Sequence, residues 1–90
     1  MEIPTEKRSV GDQVIFSDPL GRDHPALVTA VWSETCVNLV FVSGDETRKD
    51  QYGRQLERQS SCVHGSQMHT HGNYWYMANE EPNPIAQAVT

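Results

Sequence analysis

Apolar and polar residues alternate in short runs, and turn residues bound each run. Gln13-Val14-Ile15-Phe16-Ser17 follows the Gly11-Asp12 turn and carries the β-branched and aromatic side chains that suit a pleated, half-buried surface. Ala26 to Trp32 predicts a second strand. Side chains alternate along a strand, so Ala26, Val28, Ala30 and Trp32 share one face and Leu27, Thr29 and Val31 the other. Cys36 to Val42 predicts a third, with Val37, Leu39 and Phe41 opposite Asn38, Val40 and Val42. Only the polar break Ser33-Glu34-Thr35 separates these two, which predicts a hairpin. A more polar fourth strand is expected over Glu57–His64. A fifth is expected over Asn73-Tyr74-Trp75-Tyr76-Met77, where Tyr74 and Tyr76 point one way and Trp75 the other.

The intervening segments read as loops. Asp18 to Pro25 holds two prolines and a glycine. Glu46 to Leu56 is highly polar and reads as a mobile excursion with room for a helical turn, and Gly65 to Gly72 as a polar loop. Residues 1–9 read as a flexible arm and 79–90 as a tail, leaving a single domain with its core over about residues 10–78. Five short strands without a long amphipathic helix predict an all-β domain. A twisted sheet of this size curls and closes, which hides its edges. The expected fold is a small five-stranded SH3-like, partly open barrel, with an OB-like barrel as the alternative.

Size and charge narrow the partners. A folded chain of 90 residues buries only about 60% of the surface it exposes when unfolded, and self-association is a common way to add to that, so a homo-oligomer is expected. The net charge of −5 and the pI near 5.2 oppose binding to a nucleic acid polymer, which relies on Lys and Arg releasing counterions. A local pair of arginines still suits a small anionic ligand. The longest apolar run, Leu39-Val40-Phe41-Val42, is too short to span a bilayer, so no membrane partner is expected. The segment Met1 to Arg8 is mostly polar and unlike a secretory leader, and the cytoplasm is the expected compartment. There the two cysteines, Cys36 and Cys62, read as free thiols; a disulfide would need their Cα atoms within about 7 Å and an oxidising environment.

Several groups carry potential chemistry. Cys62, His64, His69 and His71 are all ligand types for zinc, but their spacing does not match paired-ligand knuckles, and no metal is expected. Cys62 or Ser61 beside His64 offers a nucleophile and a base without a recognisable acid or nucleophile elbow, so no catalysis is expected. Gly21, Gly44 and Gly53 stand alone and form no phosphate cradle, and no cofactor is implied. Rings such as Tyr74, Trp75 and Tyr76 stack on bases at about 1–3 kcal/mol each, or else fill a small core or a subunit contact. Arg48, Arg54 and Arg58 offer forked phosphate donors, or else a solvated loop of mixed charge with Glu46, Asp50 and Glu57.

The segments Pro25-Ala26-Leu27-Val28-Thr29-Ala30-Val31-Trp32 and Thr35-Cys36-Val37-Asn38-Leu39-Val40-Phe41, with the later Ser61-Cys62-Val63-His64 and Tyr74-Trp75-Tyr76, resemble a widespread family of small phage and prophage proteins. The resemblance covers roughly Val10 to Met77. Its second half departs from the family pattern: Tyr stands at usual Trp positions, Met77 replaces a customary Pro, and the stretch before the fourth strand is long and polar. It extends to phage anti-CBASS sponge proteins, which sequester the cyclic nucleotide signals of bacterial anti-phage defence. What it implies is an immune-evasion protein in the cytoplasm of an infected bacterial host, holding a small nucleotide ligand without altering it. Tyr74, Trp75 or Tyr76 would then stack on bases, Arg54 and Arg58 pair with phosphates, and Asn38, Thr29 or Ser61 read polar edges. The alternative is a virion structural or decoration protein, or an adaptor docking on a host protein through Trp75 or Tyr76.

Overall fold

Strand formation follows the apolar alternation. In the computed structural model, which describes residues 6–67 and 72–80, the elements are β1 (Gln13–Ser17), β2 (Asp23–Val31), β3 (Cys36–Val42), β4 (Lys49–Asp50), β5 (Gly53–Arg54), β6 (Leu56–His64), a 3-10 turn (Gly65–Gln67) and β7 (Tyr74–Tyr76). Five strands form a closed barrel in the order β1-β2-β3-β6-β7. All neighbours are antiparallel except β6 and β7, which run parallel, with Val63 opposite Tyr74 and His64 opposite Trp75. β7 pairs with β1 on its other side, Phe16 facing Trp75, and so completes the cylinder. The all-β, five-stranded barrel expected from the sequence is the fold, with closure complete.

The core draws on each barrel strand: Val14, Phe16, Ala26, Val28, Val37, Leu39, Cys62 and Trp75 pack together, with Val31, Phe41 and Met77 partly buried against them. Tyr74 and Tyr76 point the other way and form a second cluster with Ile15. Both cysteines are free.

Three local features depart from the sequence reading. First, β2 begins at Asp23 and contains Pro25, inside the expected loop. Pairing with β3 starts only at Ala26, so before that point β2 has β1 as its strand partner, an edge position that tolerates a residue without an N–H. Second, the β2–β3 register shifts between Val28 and Ala30. A shift of one residue exchanges the faces, so Ala26 and Val28 point inward, Val31 then packs on the core, and Trp32 turns outward. Trp32 therefore does not share the face of Ala26 and Val28. Third, the excursion over 46–56 is a ribbon in which Lys49 pairs with Arg54 and Asp50 with Gly53 across a turn at Gln51-Tyr52. Gly53 has a φ of +116°, a conformation that favours glycine, and the Asp50 carboxylate accepts the Tyr52 N–H at 2.8 Å.

The ends of the chain bear on the site only indirectly. Arg8, in the expected arm, lies against the Met77 sulfur at 3.3 Å, while residues 1–5 and 81–90 fall outside the described residues. Gly72, with a φ of +82°, lets the chain entering β7 press on the β1–β2 loop: a Cβ there would lie 2.5 Å from Pro19 Cα.

Candidate ligand-binding face

Register alone assembles a row of outward side chains. Gln13 stands opposite Leu27, Leu27 opposite Val40, and Val40 opposite Arg58. Directly opposed residues share a face, so these four cross β1, β2, β3 and β6 in line. Val42 opposite Leu56 forms the next row toward the ribbon. Leu27, Val42 and Leu56 are 49%, 52% and 64% exposed, an apolar strip in open water. With Gln13, Pro25 and Val40 they line a trough of about 210 Å³.

A second concavity, of about 400 Å³, adjoins it and shares Val40 and Leu56. Its far wall is the ribbon, which contributes Tyr52, Asp50 and Arg54, while Arg58 comes from β6. Tyr52, at the turn, is 88% exposed. Arg54 Nη1 donates to the Ser43 carbonyl at 3.0 Å, which fixes its guanidinium at the cleft. The Arg58 guanidinium has no hydrogen bond or ion pair among the described residues. Asp50 is occupied by the Tyr52 N–H and by Gln55 Nε2 at 3.0 Å, leaving two cations over one carboxylate. The cleft can thus hold a small anion next to an aromatic face.

Asn38, Thr29 and Ser61 lie toward the other end of the same face. Ser61 sits in an irregular stretch of β6 with a φ of +50°. The Asn38 Oδ1 accepts its N–H at 2.8 Å and the Trp32 indole N–H at 2.9 Å. Asn38 therefore spends its carbonyl on holding the β6 irregularity, and Thr29 is exposed beside the β2 shift.

The aromatic strand is placed elsewhere. Tyr74 and Trp75 are wholly buried and Tyr76 nearly so. Trp75 Nε1 donates to the Thr35 carbonyl at 3.2 Å, and the Tyr76 hydroxyl to Asp23 at 2.8 Å. Burial pushes the Tyr76 phenol well above its ordinary value, and the bond to Asp23 adds to that. Wedged between β1 and β6, β7 has no open ring face, so base stacking by Tyr74, Trp75 or Tyr76 is not available in this fold. Tyr52 is the ring that sequence reasoning missed. Its signal was an aromatic residue stranded in a polar run, two positions before Arg54.

The nucleophile candidates serve the fold. Burial, with a smaller contribution from Cys36, pushes the Cys62 thiol up to about 12, which removes its thiolate at neutral pH. His64 is fully buried, edge-on to Trp75 with ring centroids 4.7 Å apart. Its Nδ1 lies 2.8 Å from Ser66 Oγ and accepts the Ser66 N–H at 3.2 Å, capping the 3-10 turn. Its Nε2 lies 3.1 Å from both Glu80 oxygens, and Glu80 also accepts the Met77 N–H, which ties down the chain after β7. Among the described residues, no cluster of His, Cys, Asp or Glu is placed to hold a metal ion; His69 and His71 lie outside them.

A further concavity of about 320 Å³ opens over Phe16, His24 and Phe41. Its acids are already engaged: Asp18 with His24 and Arg22, Asp45 with Thr47, and Glu57 with Arg48. Comparison with known proteins finds no matching family model, no similar curated protein and no similar solved structure.

Proposed function

We propose that this protein is a non-catalytic binding module that holds a small, nucleotide-derived phosphorylated ligand on the outer barrel face. The observation that carries this is the cleft in which Arg54 and Arg58 stand beside the exposed Tyr52 ring. Guanidinium groups suit phosphates because their N–H donors form a fixed fork, and a phenol ring suits a base because every base has a π face. The acidic net charge fits a small ligand better than a nucleic acid polymer. The resemblance of the strand motifs to small phage and prophage proteins supports a role in sequestering a cyclic oligonucleotide defence signal.

Thermal-shift screening with cyclic di- and trinucleotides tests the reading. Ligand at 100 times Kd contributes about 2.7 kcal/mol, so the midpoint rises by about 10 °C or more in a domain of this size. Arg58→Ala and Tyr52→Ala reduce the shift while leaving the midpoint of the free protein in place. No shift with any nucleotide overturns the proposal.

The exposed strip of Leu27, Val42 and Leu56 favours a second reading, a virion structural protein or a host-protein adaptor. Stoichiometric recovery of one protein partner, lost in Leu56→Ser, selects that reading.

A further inference from the structure

β6 pairs with β3 along most of its length, but β7 reaches only Val63 and His64 at its end. Which main-chain groups this leaves over follows from the ladder. Just before β6, the Ser43 N–H donates to the Gln55 carbonyl at 2.9 Å, in the register that sets Val42 opposite Leu56. Main-chain groups on an antiparallel strand turn toward and away from the partner at alternate residues. Those of Glu57 and Gln59 therefore meet β3, and those of Leu56, Arg58 and Ser60 point away from it. No described residue bonds to the outward N–H groups of Arg58 and Ser60. Ser61, with its φ of +50°, ends the run.

We infer that this edge takes an extended segment of another protein as an added strand, acidic on its outer side and apolar on its inner side. Such docking uses the β6 main chain rather than the ribbon and does not depend on what the cleft holds. Between the edge and the β1–β2 loop lies the concavity of about 320 Å³, lined by Glu57 and Gln59 of β6, Pro19, Asn73 and the rings of Phe16 and Phe41. Alternate side chains of an added strand turn into it. Its carboxylates are already engaged, Asp18 by His24, Asp45 by Thr47 and Glu57 by Arg48, so the partly buried Phe41 ring rewards an apolar side chain there. The other side chains of the strand stand on the outer face beside Arg58, with Arg54 in the same cleft. Residues 48–58 hold four cations and two carboxylates, in a chain whose net charge is −5. That local excess selects an acidic partner. It also disfavours a second copy, because two β6 edges paired together would bring two Arg58 side chains onto one face.

The probe is a terminally blocked peptide of alternating glutamate and valine, about ten residues long, titrated against the whole chain with amide hydrogen exchange as a second readout. Binding is expected to protect the Arg58 and Ser60 amides. A lysine–valine peptide should bind about ten-fold or more weakly, and Arg58→Glu should reverse that preference. Ser60→Pro removes an outward N–H and no ladder bond, and should abolish binding. N-methylation of the peptide along its pairing side should do the same, and it keeps the test intact if Ser60→Pro fails to fold. The added strand is overturned by no binding of the glutamate peptide, by equal binding of both peptides, by binding without protection at Arg58 and Ser60, or by binding that survives N-methylation. None of these results bears on the nucleotide screen, so the cleft reading stands or falls by its own experiment.

Discussion

Two aromatic regions of this small barrel have opposite fates. Tyr74-Trp75-Tyr76 concentrates three rings on one short strand and is almost entirely buried, whereas Tyr52 stands alone on a two-residue turn and is exposed along most of its surface. The difference comes from neighbours in the sheet rather than from the rings. β7 is hydrogen-bonded on both sides, and its two faces meet separate apolar clusters. The ribbon is two-stranded, and all four of its strand residues are exposed. A dense aromatic strand in so small a barrel marks where the wall is sealed. A single exposed ring among arginines is where the proposed ligand contact lies.

Mutations at the sealed region should act on stability. Trp75→Ala is expected to remove about 3–5 kcal/mol, a large share of the roughly 5–13 kcal/mol that a domain of this size commands. Urea denaturation measures it, and a loss below 1 kcal/mol would break the contrast at its strongest point. Gly72→Ala should cost roughly 1–3 kcal/mol, because its positive φ and the 2.5 Å approach to Pro19 leave a methyl group no room. An unchanged urea midpoint would show that the chain entering β7 is not held as tightly as its geometry implies.

Mutations at the exposed region should act on binding. Tyr52→Ala is expected to change stability by less than about 0.5 kcal/mol while weakening a bound nucleotide by roughly 1–3 kcal/mol. Paired denaturation and titration experiments separate the two effects; equal losses in both would erase the distinction.

The smallest effect is an acid sensitivity at Asp18, in the loop beneath Gly72. Burial alone would raise this carboxyl, but hydrogen bonds from His24 and from the Arg22 and Leu20 N–H groups outweigh it and hold the group below its ordinary 3.8. The native state then binds fewer protons than the unfolded chain near that pH. The contribution is present above pH 3.8 and disappears as the pH falls through the depressed value. Melting curves of wild type and Asp18→Asn between pH 5 and 2 should converge at the acid end. A constant gap would rule out this linkage.

The sequence made the barrel legible because its strands are amphipathic or densely apolar. Val37 and Leu39 alternate with Asn38 and Val40, and the two faces separate as the pattern requires. It hid the ribbon because two-residue strands such as Lys49–Asp50 bury nothing and leave no hydrophobic period to read. It misplaced Trp32 because a register shift depends on the partner strand, which local alternation cannot reveal. The site was half legible for a similar reason. Arg54 and Arg58 announce themselves by charge. Whether Tyr74 to Tyr76 look inward on both sides depends on where a distant strand, β1, closes the wall.

That closure has a consequence for assembly. The closed barrel still leaves main-chain groups without a strand partner, at Asp23–Pro25 of β2 and along Leu56–Cys62 of β6 on the side away from β3. The small β4–β5 flap is a two-stranded sheet with open margins as well, and it forms one wall of the cleft. A second copy adding a strand to the flap would meet the residues that line the cleft, so under the proposed reading the two events would compete there.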